Sequence, residues 1–234
     1  MIERFAKWVS SIILIVMLTG WIWGCSGSKQ VLIADGSLKQ IRLPAPQMTG
    51  GKPLMEALRD RKSGRDFSPM PLSEQTLSNL MWAAFGINRP ESGGRTAPSA
   101  LNWQETDIYV FTEQGAYLYD AKENVLQPVA AGDYRGETGS MIQPFVKKAP
   151  VNLVYIVDSA RTGLMGKMLS TEDRDMFSDT AVGFISQNVY LYCASEGLAT
   201  VVRGMIDREA LTVLLKLRPE QRIILAQSIG YPAD

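Results

Sequence analysis

Arg61, Ser63 and Arg65 alternate along RDRKSGRDF, residues 59 to 67, with Lys62 between them. In an extended or turning backbone, residues two apart point to one side, so two guanidiniums and a hydroxyl converge. That set donates charge-assisted hydrogen bonds and suits a phosphate; a solvated charge run is the other reading. A second polar concentration is GGRTAPSALNWQ, residues 93 to 104, where Arg95, Pro98, Ser99, Asn102 and Gln104 crowd a turn-rich loop around Trp103. Turn chemistry by Asn and Ser side chains is one account of it; the positioning of a ligand is the other. The third is ASEGLATVVRG, residues 194 to 204, where Gly197 interrupts an apolar helix. It offers backbone N–H groups at a helix-to-strand bend, unless it is simply a C-capping glycine.

What these groups can do is bounded by what is missing. The 234 residues include no histidine, which removes Ser-His-Asp and Cys-His nucleophiles and most zinc and non-haem iron sites. Two cysteines, Cys25 and Cys193, cannot build a thiolate metal site, so no metal is expected. Neither a GxxxxGK[ST] loop nor a GxGxxG turn is present. Lys plus Arg and Asp plus Glu are both 24, so no overall field recruits nucleic acid. Chemistry must come from a cofactor or from Arg, Lys, Tyr, Asp and Glu.

The elements that must position these groups are punctuated clearly from residue 50 onward. GGKPLMEALRDRKS reads as a short helix with Pro53 in its first turn. PLSEQTLSNLMWAAFGI predicts a longer one, capped by Ser73, ended by Gly86, with Leu77, Leu80, Met81, Ala84 and Phe85 at helical spacing. DIYVFT, GAYLYDA and VLQPVA read as an antiparallel meander, and VNLVYIVD as a central strand. Residues 163 to 177 show no clean period and read as a cover. DTAVGFISQNVYLYCASEGL is apolar on nearly every face, as a core-surrounded helix would be, with Cys193 a lone buried thiol. TVVRG predicts a strand, Asp207 caps a further helix, and RIILAQSIGYP closes the domain as a core strand. Helices and strands alternate without a βαβ rhythm, which gives α+β.

Ahead of this domain, residues 1 to 25 have the layout of an export signal: Arg4 and Lys7, an uncharged run from Trp8 to Gly24, then Cys25. Ile22-Trp23-Gly24-Cys25 resembles a lipoprotein signal-peptidase box, with Trp23 a poor match. An uncleaved anchor and a buried helix are the other readings. Residues 26 to 48 then read as a tether, and 49 to 234 as the folded domain, held to a membrane on its exported side.

In this order the three polar segments resemble the nitroreductase family of FMN-dependent oxidoreductases, over most of residues 50 to 232. The family's RRSxRxF-like segment stands here as Arg61-Lys62-Ser63-Gly64-Arg65-Asp66-Phe67, and its PSxxNxQ segment as Pro98-Ser99-Ala100-Leu101-Asn102-Trp103-Gln104. A GLGT-like bend is Gly197-Leu198-Ala199-Thr200, and a closing GYP is Gly230-Tyr231-Pro232. LMWAAFGINR and RTAPSALNWQ are most similar to the branch containing thiazoline and oxazoline dehydrogenases. The resemblance implies a nitroreductase-like fold, with a central mostly antiparallel sheet flanked by helices and FMN at a homodimer interface near the VYLYCASEGL helices. It implies FMN as cofactor and NAD(P)H as co-substrate, with ping-pong hydride transfer to a quinone or nitroaromatic type of acceptor. Dehydrogenation of a heterocycle and a non-catalytic exported binding lipoprotein are the alternatives. By the same resemblance Arg61, Lys62 and Ser63 meet the flavin phosphate and Arg65 the N1/O2 edge. Pro98, Ser99, Ala100, Asn102 and Gln104 line the ring and ribityl chain. The backbone of Gly197, Leu198 and Ala199 meets O4 or N5, with Glu196 orienting that bend. Family members often continue past GYP with basic residues; here Arg61, Arg65 and Arg203 are left to neutralise the phosphate.

Overall fold

The computed structural model describes residues 38–233. The expected export signal, with Cys25, and the first part of the expected tether lie outside them. Fifteen helices and strands position the site, and they are introduced here in chain order. They are β1 (Ile41–Arg42), α1 (Leu54–Asp60), α2 (Glu74–Phe85), β2 (Ile87–Arg89), β3 (Gly94–Arg95), β4 (Thr106–Phe111), β5 (Gly115–Asp120) and β6 (Val125–Ala131). There follow α3 (Phe145–Lys148), β7 (Val151–Asp158), α4 (Gly163–Met168), α5 (Thr171–Glu196), β8 (Ala199–Arg203), α6 (Arg208–Leu215) and β9 (Gln221–Gly230).

One seven-stranded sheet runs β1-β6-β5-β4-β7-β9-β8, and every pairing in it is antiparallel. The α+β expectation holds. β7 sits between β4 and β9 and all eight of its residues are buried, as its apolar run Leu153 to Val157 requires, with Asn152 and Asp158 hydrogen-bonded at its two ends. Alternation on β4 and β7 divides the core. Ile108, Val110, Leu153 and Tyr155 face α2 and α5, while Tyr109, Phe111, Val154 and Ile156 join Leu211 and Leu215 of α6.

Ser73 caps α2 by accepting from the Thr76 amide at 3.0 Å. Gly86 ends it, as expected, without a left-handed turn. Its φ is −70°, and a Cβ there would lie 2.5 Å from Trp82, so the position needs space.

Two expectations require correction. Residues 163 to 177 are helical for the most part, and α5 begins at Thr171, two turns earlier than the apolar run suggests. Ser170 accepts from the Asp173 amide and bonds its carboxylate, a reciprocal cap on a solvent-facing turn that has no apolar period to display. α5 is also not surrounded by core within the protomer. Ser178, Val182, Ile185, Val189 and Cys193 form its buried stripe, while Met176, Phe177 and Phe184 are exposed.

The tether likewise gives way to the domain earlier than residue 49. Leu43 is buried, β1 pairs with β6, and Asn124 donates from Nδ2 to Pro44 O at 2.8 Å. Short apolar side chains at Leu38, Ile41 and Leu43 were enough to dock this segment on the sheet edge.

Candidate functional site

The segment after α1 crosses the end of α5 and lies against β8. Gly64 N donates to Thr200 O at 2.9 Å, and a Cβ on Gly64 would stand 3.2 Å from that of Ala199. Ser63 Oγ is 2.9 Å from the hydroxyl of Tyr190, and the Arg61 guanidinium carbon lies 5.4 Å from the Tyr190 ring centroid. Phe67, Ser68 and Asp66 fasten the next residues to the closing strand through Pro232, Tyr231 and Ala233. The first, third and fourth motifs are thereby brought together.

The charges in this run divide. Arg59 and Lys52 pair with Asp60, and Arg59 also with Glu56. Arg61, Lys62 and Arg65 take part in no ion pair among the described residues, and Lys62, Ser63 and Arg65 are exposed. Three unpaired cations and a hydroxyl on a fixed backbone suit a phosphate, so this donor set fits the phosphate end of FMN.

The Gly197 bend is a cap. Gly197 has φ +70°, and its own N–H and that of Leu198 both bond Cys193 O, closing α5 in the double-bonded left-handed manner. Those two N–H groups were expected to meet a flavin ring; they are committed to the helix end. Glu196 acts one step back: its carboxylate accepts from Ser195 Oγ, which in turn accepts the Lys52 amide at 2.8 Å. Ala199 serves as the floor under Gly64.

Arg203 also departs from expectation. It is 4% exposed and donates to Ser228 Oγ at 3.1 Å, Asn152 Oδ1 at 3.0 Å, and both the carbonyl and hydroxyl of Thr138. Burial pushes its guanidinium down to about 10. With its donors turned inward, it is not a member of the cradle.

The second motif forms a loop that runs alongside α5. Trp103 meets Phe177 edge-to-face with centroids 6.4 Å apart, and Asn188 Nδ2 donates to Thr96 O at 3.4 Å. Gln104 donates from Nε2 to Gly93 O and Asn102 Oδ1, and accepts from Arg95 Nε at 2.9 Å. Ser99 Oγ accepts the Gln104 amide. Leu101, Asn102 and Gln104 all hold positive φ, an uncommon concentration for non-glycine residues. Gln104 and Ser99 therefore shape the loop, while Pro98, Leu101 and Asn102 are exposed on it and Ala100 is half-buried.

Two contributors escaped the sequence reading. Arg95 ties the loop to α2 by donating to Phe85 O and resting over the Phe85 ring, and it was visible only as one more polar residue. Tyr190 lies seven residues before Gly197; the two-turn spacing was legible, but its partner Ser63 is 127 residues away.

Residues 58–231 match the nitroreductase family. A nitroreductase homologue of Methanocaldococcus jannaschii is 29% identical over 174 residues, covering 70% of this chain and 85% of its own. The solved structure of a nitroreductase homologue from Ralstonia eutropha is 41% identical with a TM-score of 0.78, covering 86% of this chain and 92% of that one. One from Desulfovibrio desulfuricans, in complex with FMN, shares the fold at 22% identity and a TM-score of 0.55, covering 79% and 89%. With the antiparallel sheet, the cradle and these likenesses together, the chain belongs to the nitroreductase family.

Proposed function

We propose that the chain is an FMN-dependent oxidoreductase passing a hydride from NAD(P)H to a flat small-molecule acceptor of the quinone or nitroaromatic type, in two half-reactions at one site. The observation that carries this reading is the set Arg61, Lys62, Ser63 and Arg65, half-exposed or exposed and in no ion pair among the described residues, on a backbone anchored to β8. FMN bound there would supply the hydride-accepting ring. The chain supplies position and charge: Arg61, Lys62 and Ser63 hold the phosphate, Arg65 faces the pyrimidine edge, and the Asn102 loop lines the ring.

A homodimer joins the two halves of this site. Ser63 meets α5 at Tyr190, while the second motif runs along the same helix from Asn188, which holds Thr96, back to Phe177, where Trp103 packs thirteen residues or about 20 Å from Tyr190. A two-fold axis crossing α5 near Gly183 and Phe184 sets the cradle of one protomer beside the loop of its partner. It also covers apolar surface that the protomer leaves bare, including Phe184 at 47% exposure and Leu101 at 67%. The amino-terminal layout adds export and a lipid anchor at Cys25.

The purified chain, loaded with FMN where none is retained, should show flavin absorbance that NADH or NADPH bleaches without oxygen. Bleaching only by an organic substrate moves the assignment to a flavin-dependent dehydrogenase. No flavin under any loading condition overturns the reading and leaves a binding protein on the same fold.

A further inference from the structure

Tyr190 touches the cradle without being one of its charged groups. Its hydroxyl accepts the Val202 amide of the edge strand β8 at 2.9 Å and lies 2.9 Å from Ser63 Oγ. Its ring lies under Arg61. One side chain of α5 thus fixes both an edge strand and two members of the proposed phosphate clamp.

The proton count orders this contact. A tyrosine hydroxyl has one proton and can accept at its lone pairs, and a backbone amide can only donate. Val202 N–H occupies one acceptor direction. If Ser63 donates to Tyr190, the serine proton is consumed inside the protein and the tyrosine proton has no partner in the cradle. If Tyr190 donates to Ser63 Oγ, every proton is placed and the serine O–H remains to point outward at an anion. A phosphate in the cradle selects the second arrangement.

We infer that Tyr190 is the positioning residue that makes this site selective for a phosphorylated flavin: it turns the Ser63 hydroxyl outward and holds the Arg61 guanidinium over its ring. The inference rests on the FMN reading above and deepens it. Tyr190 does not contact the phosphate, so its effect passes through Ser63 and Arg61 and concerns the phosphate end alone.

The test is a fluorescence titration of the full chain with FMN and, separately, with riboflavin, which lacks the phosphate. Tyr190→Phe keeps the ring and removes the hydroxyl; FMN affinity should fall about three- to tenfold, the worth of one neutral hydrogen bond, with riboflavin affinity unchanged. Tyr190→Leu, which also removes the surface under Arg61, should lower FMN affinity further. In a Ser63→Ala background, Tyr190→Phe should add little, because the two substitutions break one relay. Any loss of folded protein lowers both titrations equally, so the FMN-to-riboflavin ratio reads the positioning role directly. Equal losses for both flavins, or losses from Ser63→Ala and Tyr190→Phe that simply add, overturn the inference while leaving the FMN reading intact. A wild-type chain that binds neither flavin overturns both.

Discussion

Two arginines, Arg203 at the end of β8 and Arg61 on the segment that crosses to it, have no carboxylate partner among the described residues, and their surroundings differ in one respect. Arg203 is enclosed, and neutral acceptors on Thr138, Asn152 and Ser228 take its donors. Arg61 is half-exposed against the Tyr190 ring, and no acceptor of the protein is recorded for its guanidinium. The enclosed arginine joins the loop at Thr138 to the sheet. The open one, with Lys62 and Arg65 beside it, is arranged to receive an anion. For a cation, commitment of its donors distinguishes architecture from binding better than charge or motif does.

That contrast can be broken most directly at Arg203. Arg203→Met keeps much of the volume but strands Thr138 O and Asn152 Oδ1, so the apo chain should lose about 3 kcal/mol in urea unfolding. FMN affinity per folded molecule should not change; a specific loss of FMN binding would return Arg203 to the cradle. Arg61→Ala combined with Ser63→Ala should do the reverse. Affinity for FMN, measured by calorimetric titration, should drop roughly 100-fold, since charge-assisted bonds contribute about 1.5–3 kcal/mol each, with Tm nearly unmoved. Unchanged affinity would refute the phosphate assignment.

Alkali sharpens the division at somewhat smaller cost. Burial pushes Tyr109 and Tyr119 up to about 12, above the ordinary tyrosine value, so the unfolded chain releases these protons first. Their contribution is complete below pH about 10 and declines as pH climbs towards 12, on the order of 1–2 kcal/mol each. The core should loosen over that range, which urea melts at stepped pH and the tyrosinate absorbance band would follow. The smallest effect is expected at Gln104→Ala. Losing its bonds to Gly93, Asn102 and Arg95 should destabilise by about 1 kcal/mol and speed amide hydrogen exchange across 93 to 104. Exchange rates unaltered there would mean that the loop is held from outside.

Much of the scaffold was legible because the signals were local. Ser73, the apolar run Leu153 to Val157 in β7, and Asp207, whose side chain accepts from the Ala210 amide, each act within a few residues of where they stand. Arg61, Ser63 and Arg65 could be singled out as a candidate set, since alternation and residue type are local signals too. What stayed hidden was the destination of hydrogen bonds. Arg203 finds its acceptors 25 to 65 positions away, so nothing beside it in the chain shows that its donors are taken. Gly197 could be read as a bend, but the two N–H groups claimed by Cys193 become visible only once the helix end is built. The start of α5 was missed for a different reason: a turn that faces water has no apolar period, and its cap at Ser170 was the signal to follow.

The 26 residues of α5 also act as a ruler. Tyr190 marks the proposed cradle and Phe177 the Trp103 turn of the loop proposed to line the ring, and in the proposed dimer each active centre is read off two such rulers laid in opposite directions. Adding a single residue between Phe177 and Tyr190 would shift one mark against the other by about 1.5 Å and turn it by about 100°. Because both centres share the same two rulers, the error would appear in each of them at once. Length, more than side-chain identity, is then the property of this helix on which the proposed dimer depends.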